Sequence, residues 1–304
     1  MTSAWWSQVL RCPRCGGALE VGQQLARCSA CGPYPVLGGV PVLVTDPSGY
    51  CATFHDAILA TLAEQGLADR EAVAVVEAFA EGRSEAPRSF GDDWTSHEAS
   101  GGEAPVPVKG AATKALKSLL DVAREDGPAR WLERRMHPVK LALEVGCGAG
   151  ERSELLGKHA QRLLVCDLSL RAVFQARARA ARQQTDVEGV VMNAEALPVR
   201  NGALDLLVAE HVVDLLDEPF EFFTRARKAL GKKGELLVTT PEPSLGFGED
   251  DALEQLAVRA KFRVKERRDG LPWLRINSSR FVECYLVQAL ALTHEGDLPP
   301  TRGT

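Results

Sequence analysis

Three groups of residues combine side-chain type and spacing in ways that suit chemistry. Cys12-Pro-Arg-Cys15-Gly and Cys28-Ser-Ala-Cys31-Gly are two C-x-x-C-G knuckles with 12 residues between them. Four thiolates at this spacing close a tetrahedral Zn²⁺ site and leave no position for water, so the predicted ion is structural. Further on, Glu144 stands just before a G-x-G-x-G loop (Gly146, Gly148, Gly150), and Asp167 follows Glu144 by 23 residues. Glycines allow a tight turn and close approach to a ligand, and a doubly wound fold sets an acid at that distance beside ribose hydroxyls. The third group is Glu210-His211, with Asp214 three residues after the histidine. An imidazole with an ordinary pKa of about 6.5 suits general-base work, and a neighbouring acid can orient it. The plainer alternatives are a structural turn, a histidine held in a structural hydrogen bond, and a helix-surface acid.

A scaffold of alternating helices and strands must position these groups. From Ala111 the periodicity predicts helices at 111–124, from 151, at 169–183 and near 218–230. It predicts strands at 141–145, 162–167, 187–192, 204–209, 234–240, 261–268 and 281–292. Such alternation implies an α/β fold with a seven-stranded, mostly parallel Rossmann-like sheet and helices on both faces. Before it come the cysteine module (1–46), too small to fold without a staple, and a segment at 47–110. Residues 52–80 of that segment read as two helices; in 82–110, 12 of 29 positions are Gly, Pro or Ser, the composition of a linker. A dinucleotide site would need G-x-G-x-x-G; here the acid before the glycines would repel a pyrophosphate but suits a cationic amino-acid ligand.

The 304 residues are 45% hydrophobic and 25% charged, and the net charge of −5 excludes a molecule basic all over for nucleic acid. The sequence carries neither a membrane-spanning apolar run nor a secretory signal, so a cytoplasmic protein is expected. In a reducing compartment the paired cysteines favour metal, whereas the isolated Cys51, Cys147, Cys166 and Cys284 read as small hydrophobes.

LALEVGCGAGERSELL, LLVCDLSLRAV, MNAEALPVRNGALDLLVAEHVVDLLDEP and ARKALGKKGELLVTTPEP resemble the successive motifs of class I S-adenosylmethionine (SAM)-dependent methyltransferases over roughly 139–242. The resemblance implies SAM as cofactor and S-adenosylhomocysteine as product. It implies that Glu144 and the Gly146/Gly148/Gly150 loop hold the methionine portion, that Asp167 accepts from the ribose hydroxyls and that Leu168 packs against the adenine. Asn193 and Ala194 stand where the family commonly has Asp-Ala reading the adenine edge; the amide can still accept from an exocyclic amine. Glu210, counted with the cofactor residues, and His211 would line the methyl-transfer pocket, with His211 the candidate base and acceptor contact. Trp94, in the linker, is the candidate lid over the substrate.

The stretch VLRCPRCGGALE…ARCSACGPYPVLGGVPVLV is similar to small zinc-ribbon proteins that activate tRNA and protein methyltransferases as separate subunits. That resemblance implies a docking or stabilising role, with Val40-Pro41-Val42-Leu43-Val44 as an apolar strand for a partner; chelation would then leave SAM binding largely intact. Three acceptor classes compete. A small molecule is favoured, with 52–110 as a lid over the strand ends. RNA is the alternative, as for an rRNA or tRNA base methyltransferase that docks RNA through the zinc ribbon, with Lys261, Arg263, Lys265 and Arg267 alternating onto one strand face to meet phosphates. A third reading is a non-catalytic SAM-binding scaffold that recruits a protein partner through the ribbon.

Overall fold

The computed structural model of the chain describes residues 5–81, 111–245, 251–278 and 281–294. The N-terminal module begins with the short helix α1 (Trp6–Val9), followed by β1 (Glu20–Val21), β2 (Leu25–Cys28), β3 (Gly32–Leu37) and β4 (Val40–Pro41) in an antiparallel sheet of order β1-β2-β3-β4. Three helices follow: α2 (Pro47–Thr53), α3 (His55–Glu64) and α4 (Arg70–Ala80). The pair expected within 52–80 is α3 and α4, and α2 adds a third helix just before them. Asp46 caps α2 by accepting from the Gly49 amide at 3.1 Å, and Asp69 caps α4 by accepting from the Ala72 amide at 2.8 Å.

Helices α5 (Ala111–Asp126) and α6 (Pro128–Arg135) lead into the main domain. Its elements alternate as β5 (Val139–Val145), α7 (Glu151–Gly157), β6 (Ala160–Asp167), α8 (Leu170–Ala181), β7 (Asp186–Val191), β8 (Leu204–Glu210), α9 (Pro219–Ala229) and β9 (Leu230–Thr240). The described residues close with α10 (Ala252–Arg259), β10 (Phe262–Ser278) and β11 (Phe281–His294). The seven strands form one sheet of order β10-β11-β9-β8-β5-β6-β7. Neighbours from β9 to β7 run parallel, and β11 pairs antiparallel with both β9 and β10. The expected mostly parallel seven-stranded sheet is what the chain builds.

Because successive residues of a strand point to opposite faces, the sheet has two cores. Leu143, Val145, Leu164 and Val190 pack with Phe222 and Phe223 of α9 and with Trp6, Leu10 and Tyr34 of the N-terminal module. On the other face Ala142, Leu163 and Val165 pack with Val173 of α8, Ile58 of α3 and Trp131 of α6. Val40, Val42, Leu43 and Val44 are all buried, and they divide between the two cores, with Leu43 in the first and Val42 and Val44 in the second. The apolar strand expected to await a partner is covered by its own chain. Among the described residues no helix is long and apolar enough to cross a membrane.

Candidate functional site

The loop after β5 is shaped by backbone conformations that favour glycine. Gly146 has φ +68°, and a Cβ there would lie 2.3 Å from Val212 Cγ2; Gly150 has φ +85°, and its Cβ would lie 2.5 Å from Ala176 Cα on α8. These two glycines therefore serve internal packing, the first against the segment after β8 and the second for close approach of α8. Gly148, at φ +46°, carries the ligand-facing argument: its amide donates to Asp167 Oδ2 at 3.1 Å, while Asp167 Oδ1 accepts from the Ser169 amide at 2.9 Å. Two backbone bonds thus fix the carboxylate at the carboxyl end of β6, beside the loop.

Glu144 is 3% exposed and accepts a hydrogen bond from Ser153 Oγ on α7. Burial pushes its carboxyl up to about 8, with the neighbouring Glu210 adding to the effect and the Ser153 bond opposing it. Glu210, at the end of β8, pairs with Arg152 at 2.6 Å. The expectation of two carboxylates toward the cofactor thus becomes a linked set, Ser153–Glu144 and Arg152–Glu210. Both helix partners come from the turn following the glycines, and they make α7 a lid on the central strands.

His211 sits beyond the end of β8 with φ +55°, its amide donating to the Thr239 carbonyl at 2.8 Å. Burial lowers its pKa, which favours the neutral imidazole. Its ring lies 4.2 Å from that of Trp273, which in turn lies 5.1 Å from Tyr285. His211 Nε2 and Thr239 Oγ1 are buried polar atoms without hydrogen-bond partners among the described residues. Asp214 does not orient the histidine through a hydrogen bond; its Oδ1 accepts from Thr240 Oγ1 at 2.7 Å and secures the end of β9.

Trp273 reaches the histidine because the last hairpin is longer than the sheet. Gln288 pairs with Thr240, the last residue of β9, so 281–287 of β11 and their partners on β10 project past the carboxyl ends of the parallel strands. That edge is where open α/β sheets bind ligands. Trp273 and Arg152 were not anticipated as site residues, although Trp273 lies in the Gly- and Pro-punctuated stretch DGLPWLR.

At the other end of this edge, Asn193 Oδ1 accepts from the Glu195 amide at 2.8 Å, and Glu195 Oε1 accepts from the Glu218 amide at 2.6 Å. Glu195 is a loop clamp. Ala194 is buried. The carbonyl of Leu168 accepts from the Tyr50 hydroxyl at 2.7 Å. Beside Leu168 lies a cavity of about 220 Å³, bounded by Phe54, Ile58 and Thr61 of the N-terminal helices and by Ser169. Helices expected over the acceptor stand, in α2 and α3, against the Asp167–Leu168 turn. Trp94 and the rest of 82–110 lie outside the described residues.

The sulfurs of Cys12, Cys15, Cys28 and Cys31 lie within 4.8 Å of one another, and those of Cys15 and Cys28 are 3.5 Å apart. Tetrahedral Zn–S bonds of about 2.3 Å imply sulfur separations of about 3.8 Å, so the four donors fit zinc. The basic ridge expected at 261–268 is shorter than its sequence suggests. Lys261, Arg263 and Lys265 are exposed in alternation with Phe262 and Val264, but a register shift follows between Val264 and Glu266, Lys265 pairs with Glu235 at 3.3 Å, and Arg267 pairs with Glu254 at 2.7 Å and Asp269 at 2.8 Å.

Comparison with known proteins agrees with this geometry. Residues 143–238, roughly a third of the chain, match the family model described as a methyltransferase domain. Two curated relatives from two strains of Mycobacterium tuberculosis, each named "Probable S-adenosylmethionine-dependent methyltransferase", are 30% identical over 99 residues, or 33% of this chain. The match covers 35% of each relative, so the chain spans about a third of the length of the curated relatives it matches. Similar solved structures include a TehB-like SAM-dependent methyltransferase from Corynebacterium glutamicum, 18% identical with a TM-score of 0.43 over 67% of this chain and 96% of that one. A Pyrococcus horikoshii protein is 14% identical with a TM-score of 0.44 over 65% and 98% of the two chains. The family match and the curated relatives support a SAM-dependent methyltransferase domain of the Rossmann-like class in the part of the chain that holds the glycine loop and Asp167.

Proposed function

We propose that this protein is a SAM-dependent methyltransferase acting on a small-molecule acceptor, with a structural zinc ion in its N-terminal ribbon. The observation that carries the cofactor is the Gly148–Asp167 bond, which holds a carboxylate beside a glycine loop within the matched region. When bound, SAM supplies an electrophilic methyl group on a sulfonium sulfur. The chain's own part is positioning and proton handling. Asp167 accepts from the ribose hydroxyls, Leu168 packs against the adenine, and Asn193 and Ala194 meet its edge. The Gly146–Gly150 loop receives the methionine portion, while Glu144 and Glu210 act through Ser153 and Arg152. His211, held neutral by burial, takes the proton an acceptor must lose, and Trp273 keeps its ring in place.

A small acceptor is supported by the aromatic group His211, Trp273 and Tyr285 at the edge of the sheet; of the four basic residues that RNA would need, Lys265 and Arg267 are engaged in ion pairs. Purified protein with methyl-labelled SAM, added to a cell lysate that is then split into small-molecule, RNA and protein pools, tests the proposal. Label in the small-molecule pool is expected. Label in RNA would overturn the acceptor class, and bound SAM without any transfer would overturn the enzyme.

A further inference from the structure

The adenine subsite proposed above lies between two loops, the Asp167–Leu168 turn after β6 and the 193–200 segment after β7. The second is tied to the N-terminal module and the first to α2, which follows directly on it. On the second loop, the Arg11 amide donates to the Pro198 carbonyl at 2.8 Å, the Arg200 amide donates to the Val9 carbonyl at 2.8 Å, and Leu10 and Val199 form an antiparallel bridge. Just before that loop, the Leu43 amide donates to the Val191 carbonyl at 2.7 Å, and Val42 bridges Val191 in parallel. Trp5 Nε1 donates to Asp186 Oδ1 at 2.9 Å at the start of the same strand. On the first loop, the Tyr50 hydroxyl holds the Leu168 carbonyl. The module therefore grips β7 on both sides of its carboxyl end, and α2 braces the opposite wall.

The grip has work to do. Leu197 sits in the middle of the second loop at φ +30°, a conformation a branched side chain avoids, and it is 3% exposed. Such a backbone persists only where its surroundings over-determine it. Here those surroundings include the Leu10–Val199 bridge and the hydrophobic core that holds Leu197 together with Trp6, Leu10 and Tyr34. Those residues flank the four cysteines directly: Leu10 and Arg11 precede Cys12, and the Tyr34 hydroxyl lies 3.1 Å from Cys12 Sγ. The module shares its core with the main sheet, and the metal would cross-link the two knuckles that carry these contacts.

We infer that the N-terminal module is a structural half of the adenine subsite, so that the zinc ion its cysteines hold sets the affinity for SAM. The inference rests on the cofactor and zinc assignments proposed above. It reverses the expectation from sequence that chelation spares the cofactor site. Coupling between two ligands is reciprocal, so bound SAM also retains zinc. Val9, Leu10, Arg11, Leu43 and Tyr50 are positioning residues; their bonds run to the loops.

The test titrates SAM calorimetrically into the full zinc-loaded chain, into the chain stripped by a chelator and verified metal-free, and into the stripped chain after zinc is restored. Affinity should fall at least ten-fold on stripping and recover on restoration, and saturating SAM should slow zinc transfer to a chromogenic chelator. Amide exchange without SAM should quicken over 193–200 while 139–145 and 160–167 stay protected. Tyr50→Phe, which loses one bond and keeps the cysteines, should weaken SAM about three- to ten-fold with zinc content unchanged. Equal affinity in the metal-free chain, or unchanged exchange over 193–200, overturns the inference. A zinc-loaded chain that binds no SAM refutes the cofactor assignment instead, and the exchange measurement still decides the grip.

Discussion

The two ends of the ligand-binding edge are built in different ways. At the proposed adenine end, backbone meets backbone: Arg11 with Pro198, Arg200 with Val9, Leu43 with Val191. Such bonds have narrow geometry and do not depend on which side chains stand there. At the His211 end, the contacts are ring on ring, from a hairpin arm that projects past the sheet and leaves Phe281 and Leu286 54% and 67% exposed. Aromatic packing tolerates sliding in a way that a ladder bond does not. The contrast matches a division of labour, in which an invariant nucleoside is met by a rigid frame and a particular acceptor by replaceable side chains.

Substitutions at each end should separate these roles. The largest effect is expected for Asp167→Ala, which removes the ribose partner and frees the Gly148 and Ser169 amides; SAM affinity by calorimetry should drop at least about 100-fold. Retained affinity would end the comparison, since the rigid end would not be the cofactor's. His211→Ala should lower turnover about 100-fold and leave SAM affinity within about two-fold, as loss of a general base does. In the parent protein kcat/KM should rise with pH through a value below the ordinary 6.5 of histidine, because burial favours the neutral ring. Trp273→Ala should cost about ten-fold in turnover, raise the acceptor's KM, and move that pH midpoint up as the imidazole gains water. An effect of Trp273→Ala on SAM affinity alone would instead join the two ends.

The smallest effect on transfer is expected for Glu144→Gln, a change of the same shape. Its signature is in stability. With the native carboxyl raised to about 8 from 4.5, the folded chain binds more protons than the unfolded one between those values. Stability of the parent therefore falls as pH rises through that window, on the order of a few kcal/mol. Glutamine does not titrate, so the variant should gain on the parent from pH 4.5 to 8 and hold its advantage above. Parallel pH profiles in thermal melts would show that Glu144 is ionised in the fold.

Much of the frame could be read from residue order. The seven strands are apolar runs between helical stretches, and all but β10 begin and end within a few residues of their expected places. Three failures have identifiable causes. The basic run 261–268 hid the length of β10, which continues through Gly270 and Pro272 to Ser278 because pairing with β11 outweighs local turn signals; Gly270, at φ +75°, sits within the irregularity between Arg268 and Leu271. Helix α10 just before it was missed. The partners of site residues were hidden by distance along the chain: Arg152 and Glu210 are 58 residues apart, Asp214 and Thr240 26, Tyr50 and Leu168 118. Nothing local to either member of a pair announces the other. The four cysteines, by contrast, were legible because their spacing alone brings the sulfurs together.

One consequence of the ribbon's seat concerns solubility. β7 is the outermost strand of the large sheet on that side, and an outer strand offers unpaired amides and carbonyls to any passing chain. Val42 and Leu43 cover the carboxyl end of that rim, and Trp5 ties down its start. A protein whose ribbon comes loose would expose the apolar row Val40–Val44 and the rim it guards at the same moment. Depletion of zinc would then register as turbidity in a concentrated sample, with copies stitched together through β7.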